Sequence, residues 1–339
     1  MRSEILPSSD VIANDRAGRG ANSIEGSKII VTGGCGFIGS HLVKALLELG
    51  ARSVLVIDSL EFGNRTNLDV SSKKVQVVRH NLGHDNPALL DRLLHGYDLI
   101  FHLAAEKHNQ SLNNPASLFD SNVSGTSSLL SAAVKNHVKK VVFSSSLYVY
   151  GRTNRPPYSE TETPRPVTLY GISKLAGELL LRNTAEMHRF EYNVLRYLFV
   201  YGPRQFSGTG YKSVITRNFS RILHNRPPVI MGDGRQVLDY VYIDDAVNAT
   251  VRAMESPITG EVFNVGSGKP VTIRQLTRLM LRVAGKNLRP TFQPADETKD
   301  TYRVGNITKM KRILKCEPKI PLTLGLARTY DWMRQSKNA

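Results

Sequence analysis

Tyr170 and Lys174 stand four residues apart in the stretch Tyr-Gly-Ile-Ser-Lys. On a helix that spacing puts a phenol and an ammonium on one face. A nearby cation favours the phenolate, and a phenol so tuned is a general base that can work near neutral pH. A Tyr and a Lys one turn apart are also common on any helix, so the pair needs company. Earlier in the chain the apolar run Lys-Lys-Val-Val-Phe ends in Ser144, Ser145 and Ser146. Hydroxyls at the carboxyl end of a strand lie at the edge where open α/β sheets bind ligands. Ser146 is assigned to chemistry: its hydroxyl can hydrogen-bond a substrate oxygen without taking charge. Ser145 is its rival, and backbone capping fits Ser144 best.

A second constellation supplies the reactant such a base would serve. Val-Thr-Gly-Gly-Cys-Gly-Phe-Ile-Gly-Ser-His follows an apolar strand and opens an amphipathic helix. Gly33, Gly36 and Gly39, with Phe37 and Ile38 between them, suit a tight turn that lets backbone N–H groups approach a pyrophosphate at a helix N-terminus. Asp58 ends the next strand, where a carboxylate accepts hydrogen bonds from ribose hydroxyls and repels a 2′-phosphate. No Arg follows it directly. These features select NAD over NADP.

The elements that must hold these residues alternate. Strands are predicted at 28–34, 53–60, 74–82, 97–105, 138–146 and 191–203; helices fall at 37–50, 87–96, 118–137 and 169–188. Strands apolar on both faces imply a parallel sheet covered by helices, a doubly wound α/β fold. After Pro203 the alternation loosens, and residues 227–254 read as a short strand pair running into a helix. The expected organisation is a flexible tail over 1–27, a Rossmann domain over 28–203, and a smaller α/β substrate lobe over 204–339 with segments returning to the sheet.

The chain has 339 residues, 41% hydrophobic content and a net charge of +16. That is ample for a large core. The basic residues are dispersed, so the charge fits an anionic small substrate better than nucleic acid. No apolar run reaches the roughly 18 residues that would span a membrane. Cys35 and Cys316 are far apart in sequence, which fits a reducing, cytoplasmic setting.

Taken together these motifs closely resemble the extended short-chain dehydrogenase/reductase family, and within it the nucleotide-sugar epimerases and dehydratases. The likeness runs from about residue 28 to the end, through His-Leu-Ala-Ala-Glu-Lys-His, Asn-Val-Ser-Gly-Thr, Phe-Ser-Ser-Ser-Leu-Tyr-Val-Tyr-Gly, Leu-Arg-Tyr-Leu-Phe-Val-Tyr-Gly-Pro-Arg-Gln and Gly-Asp-Gly-Arg-Gln-Val-Leu-Asp-Tyr-Val. It implies that Tyr170 removes a sugar hydroxyl proton while hydride passes to NAD, that Lys174 holds the nicotinamide ribose and tunes Tyr170, and that Ser146 is the catalytic hydroxyl. It also implies cofactor contacts from Asn81, Leu82, Leu103, Ala104, Ala105, Lys107, Asn122 and Ser144. The implied reaction is C4 epimerisation of a UDP-hexose, and the implied assembly is a homodimer through helices 124–136 and 174–188.

Four departures bear on the reaction. The Asp-Glu pair of the dehydratases is Leu147-Tyr148 here, which removes the acid–base groups for loss of water. A diphosphate-contacting Asn is replaced by Phe199, and a diphosphate-contacting Arg by Leu238, with Arg204 and Arg235 as possible substitutes at the substrate. The Asp of the adenine-binding stretch is Asn81. A reductase or dehydrogenase of a modified sugar and a non-catalytic NAD-binding protein are the competing readings. His80, His84, His102 and His108 lack metal-ligand spacing, so no metal is expected. Asp244 and Asp245 read as a helix N-cap and first-turn acid. Residues 208–215 are read as a loop over a substrate phosphate.

Overall fold

Runs with no polar alternation must be buried on both faces, and the first half of the chain builds its sheet from them. The computed structural model describes residues 22–68, 72–106, 114–151, 156–205, 213–295 and 301–338. Lys107, His108 and residues 208–212 lie outside the described residues.

The strands are β1 (Lys28–Thr32), β2 (Ser53–Asp58), β3 (Val75–Arg79), β4 (Leu99–His102), β5 (Lys140–Ser146), β6 (Glu191–Tyr197), β7 (Phe199–Tyr201), β8 (Val229–Met231), β9 (Val237–Tyr242), β10 (Glu261–Val265), β11 (Pro270–Thr272), β12 (Thr291–Gln293) and β13 (Tyr302–Arg303). The helices are α1 (Phe37–Glu48), α2 (Ala88–Leu93), α3 (Pro115–Phe119), α4 (Gly125–Lys135), α5 (Leu169–His188), α6 (Val214–Leu223), α7 (Ile243–Glu255), α8 (Ile273–Val283), α9 (Thr308–Ile313) and α10 (Leu322–Asn338). Among the described residues seven parallel strands form one sheet in the order β10-β6-β5-β4-β1-β2-β3. This is the expected Rossmann-like fold. The chain reverses direction across the sheet between β1 and β4, and that switch point opens a crevice at the strands' carboxyl ends.

Alternate residues fill two apolar layers. Ile29, Val31, Val56, Phe101 and Val142 pack on one side with α1 and α7. Ile30, Leu55, Ile57, Ile100 and Phe143 pack on the other with α4 and α5. Each fully buried side chain of this size is worth roughly 1.5–3 kcal/mol of transfer free energy.

Three expectations change. The strand expected over 191–203 breaks at Leu198, whose N–H donates to Val265 at 2.9 Å. Phe199 leaves the main sheet and pairs with Tyr240 on β9. The expected strand pair before α7 is not a pair: β8 pairs with β12, and β9 with β7, β11 and β13. Residues 22–27, assigned to the flexible tail, are packed. Ile24 is fully buried, and the Gly26 N–H donates to the Gly50 carbonyl at 3.0 Å. Ile24 joins the apolar layer that α1 and α7 cover.

Candidate active site

The turn from β1 into α1 shows why glycine is needed. Gly33 has φ of +69°, and a Cβ at Gly39 would stand 2.2 Å from the Gly33 carbonyl oxygen. Helix α1 therefore begins in contact with the turn itself. Its N-cap is Gly36, with no side-chain cap, so the N-terminal N–H groups remain for a ligand. Beside them lies a cavity of about 540 Å³. Gly33, Gly36, Phe37, Ile38, Gly39, Asp58, Asn81, Leu82, Leu103, Ala104, Ala105, Ser144, Tyr170 and Lys174 all line it. Residues from five strand ends and two helices thus meet at one crevice.

Asp58 is fixed from both sides. Its Oδ2 accepts from the Cys35 N–H and its Oδ1 from the Leu60 N–H, each at 2.9 Å. Burial pushes its pKa up, and these backbone donors oppose the shift. A carboxylate so held at the cavity edge, beside a turn that tolerates no Cβ, fits an adenosine ribose and pyrophosphate. These residues therefore suit NAD.

His102 belongs to the scaffold. Thr32 Oγ1 accepts from the N–H groups of Leu103 and Ala104, at 3.1 and 3.2 Å, so its proton goes to His102 Nδ1 at 2.7 Å. His102 Nε2–H then donates to Thr126 Oγ1 at 2.9 Å, and the Thr126 hydroxyl donates to the Asn122 carbonyl. Burial holds His102 neutral, its pKa pulled down to about 3. This line of hydrogen bonds carries Leu103–Ala105 over the cavity.

Asn122 departs from its expected place. It is buried and absent from the cavity lining. Its Oδ1 accepts from the Glu106 N–H at 2.8 Å, while its Nδ2 donates to the Glu106 carbonyl and to Ser173 Oγ, each at 3.0 Å. With both ends of the amide engaged, it ties the β4 loop to α5 and does not reach for cofactor.

On α5, Thr168 caps the helix through the Gly171 N–H at 3.0 Å, which places Tyr170 in the first turn. The Ser146 hydroxyl stands beside the Tyr170 phenol. Burial pushes the phenol above its ordinary value, Ser146 draws it back, and neighbouring Tyr148 adds to the rise. Lys174 is buried one turn on, its Nζ 4.9 Å from the centre of the Phe143 ring. Burial lowers its pKa to about 7, against the pull of Glu178. The protein's own groups thus raise Tyr170, whereas a lowering by Lys174 was expected.

The three serines divide by face, as strand alternation requires. Ser145 donates to Glu178 Oε1, whose carboxylate takes Arg196 Nε at 3.0 Å and NH2 at 2.7 Å. Ser144 lines the cavity. The capping role expected of Ser144 belongs to Ser146, whose Oγ accepts from the Tyr148 N–H at 3.3 Å.

The substrate candidates scatter. Arg204, with φ of +64°, lines the cofactor cavity. Arg235 has an 83% exposed side chain, paired with Asp233 at 3.2 Å. Phe199 packs on the Tyr240 ring with 5.8 Å between centres. Asp244 and Asp245 both sit in the first turn of α7, which Tyr242 caps, so neither is the expected N-cap. Asp245 receives the N–H groups of Lys319 and Ile320.

Sequence reasoning missed Glu106, Asn64, Asn67 and Trp332 in the cavity wall. The two asparagines follow Asp58 in the loop after β2, which a ribose-binding strand end could have flagged. Glu106 lies one residue beyond the recognised Leu-Ala-Ala. Trp332, on α10, carries no local signal.

The family model described as "NAD dependent epimerase/dehydratase family" matches residues 29–266. A UDP-glucose 4-epimerase of Mycolicibacterium smegmatis is 33% identical, over 91% of this chain and 98% of that protein. The structure of the Thermotoga maritima UDP-glucose 4-epimerase with UDP-glucose superposes with a TM-score of 0.86 at 36% identity, covering 91% of this chain and 99% of that one. A dTDP-glucose 4,6-dehydratase of Streptomyces venezuelae with NAD bound reaches 0.84 at 30% identity, covering 92% and 98%.

Proposed function

We propose, from the premise that this chain belongs to the NAD-dependent epimerase/dehydratase family, that it inverts C4 of a UDP-hexose with NAD as a retained cofactor. The carrying observation is that Tyr170 and Lys174 line the NAD cavity and that Ser146, which is outside its lining, stands beside Tyr170, with Leu147 and Tyr148 following Ser146. Two of the similar proteins carry UDP-glucose 4-epimerase as their name, which supports the UDP-linked hexose.

When bound, NAD supplies a hydride acceptor that can return what it takes. Tyr170 is the base for the C4 hydroxyl proton. Ser146 holds the same oxygen as hydroxyl and as ketone, without changing charge. Lys174 carries its proton below about pH 7 in the protein's own field, and an anionic neighbour would keep it charged at higher pH. Leu147 and Tyr148 offer no carboxyl group to drive elimination. The sugar then accepts hydride on its other face, and Tyr170 gives the proton back. Incubation with a panel of nucleotide sugars and no added cofactor, followed by NMR, tests this reading. Interconverting C4 epimers support it; a keto-deoxy product or stoichiometric reduced nicotinamide refutes it.

We also infer a homodimer. Helix α5 exposes Leu169, Ile172, Leu179 and Met187 on one side, at 38%, 42%, 46% and 68%. Such a stripe fits helix-on-helix packing with a second copy. Ile172→Glu should halve the mass seen by sedimentation; a wild type that sediments as a monomer rules the dimer out.

A further inference from the structure

The diphosphate contacts that the resemblance assigns to positions 199 and 238 are lost to Phe199 and Leu238. The registers of the small sheet show what stands beside them. Arg303 on β13 is the direct neighbour of Leu238 on β9, and Phe199 on β7 is the direct neighbour of Tyr240 on the same strand. Directly paired residues share a face of a sheet, and positions two apart on a strand share it too. Phe199, Tyr240, Leu238 and Arg303 therefore occupy one face.

The Arg303 guanidinium lies over the Tyr148 ring, 5.3 Å from its centre. The Tyr148 ring meets Tyr170 edge-on, with 5.7 Å between centres and an 80° angle between planes. A guanidinium is thus separated from the candidate base by the single ring of Tyr148. Arg303 is half-buried, and no carboxylate pairs with it among the described residues. A guanidinium in such a place is suited to bidentate recognition of a carboxylate or phosphate. The alternatives are engaged elsewhere: Arg235 with Asp233 in solvent, and Arg204 in the cofactor cavity.

We propose that Arg303, seated on Tyr148, is the specificity-determining cation that binds an anionic oxygen group of the sugar nucleotide, either the diphosphate or a carboxylate on the hexose. This rests on the nucleotide-sugar reading above. Tyr148 then acts as more than a missing acid. Its ring replaces a carboxyl group with a platform that presents a cation next to the reacting hydroxyl.

The test uses the full chain with its cofactor, titrated with UDP, UDP-glucose and UDP-glucuronate by calorimetry, and assayed by NMR. Arg303→Met is compared with Arg303→Lys, and cofactor content and melting temperature check that both fold. A loss of about 10–100-fold in affinity or kcat/KM for Arg303→Met, partly restored in Arg303→Lys, supports the proposal. If the loss is confined to UDP-glucuronate, the anion is the carboxylate. If it is shared by all three, the anion is the diphosphate. If wild type and Arg303→Met bind all three alike, Arg303 has no such role while the nucleotide-sugar reading stands. If the NAD-loaded wild type binds none of them, that reading fails and the Arg303 role fails with it.

Discussion

Ser145 and Ser146 leave one strand on opposite faces, and their surroundings give them different work. Ser145 is held by the Glu178 carboxylate, itself bound twice by Arg196. Ser146 stands beside the Tyr170 phenol and favours its ionised form. Ser146→Ala should lower kcat on the order of 100-fold with cofactor content unchanged, as loss of one aligned hydrogen-bonding group at a reacting oxygen does. Ser145→Ala should cost about 1–3 kcal/mol of stability, since a buried carboxylate oxygen loses a donor, with a smaller change in kcat. Steady-state kinetics and urea midpoints on the pair separate the roles; the reverse pattern would make Ser145 the catalytic hydroxyl. Period-two alternation already sets Ser145 apart from Ser144 and Ser146. Which face meets the cavity is set by the neighbouring strands and α5, and no local pattern encodes that.

At the scale of elements, the β1-to-α1 turn was the most legible part of the chain. Its glycines answer to a local contact: Gly39 must clear the Gly33 carbonyl within the same turn. Gly39→Ala should therefore destabilise the protein by about 1–3 kcal/mol through overpacking and cut cofactor retention together. At Gly36 a Cβ would meet only the Gly33 oxygen, at 3.2 Å, so Gly36→Ala should lose cofactor with less change in melting temperature. Thermal melts and cofactor content by absorbance check both; equal melting losses would contradict the distinction. The break at Leu198 was not legible, because no Gly or Pro interrupts residues 191–201 and the switch to β9 depends on a partner some 40 residues later. Trp332 is further still from the motifs it joins. Long-range pairing, and not local propensity, decides such placements.

Across the whole molecule, buried histidines couple the scaffold to pH. Burial lowers His102 to about 3 and His41, beside the Pro203 carbonyl, to about 4, both from 6.5. Below pH 6.5 the unfolded chain takes up protons that the native state refuses. This part of the stability is full above that pH and lost as pH falls toward the native values. Buried Asp58, Asp239, Asp244 and Asp245 have raised pKa values and act with the opposite sign, so a difference is the clean measure. The stability advantage of wild type over His102→Gln should shrink by about 2 kcal/mol between pH 7 and pH 5. Urea unfolding at the two pH values reads it; a constant difference would mean that His102 takes up its proton as readily in the fold as in the unfolded chain. The dispersed positive charge was visible in composition, and its use at one site was not, because the register that sets Arg303 beside Leu238 exists only in the folded sheet.

In the proposed reaction, oxidation at C4 is followed by return of the same hydride, because Leu147 and Tyr148 offer no carboxyl group to carry the ketone further. The direct measurement is proton NMR of the wild-type protein with a UDP-hexose in deuterated water, without added cofactor. The expected product is the C4 epimer with protium kept at both C4 and C5. Deuterium at C5, or the methyl signal of a 6-deoxy product, would contradict it.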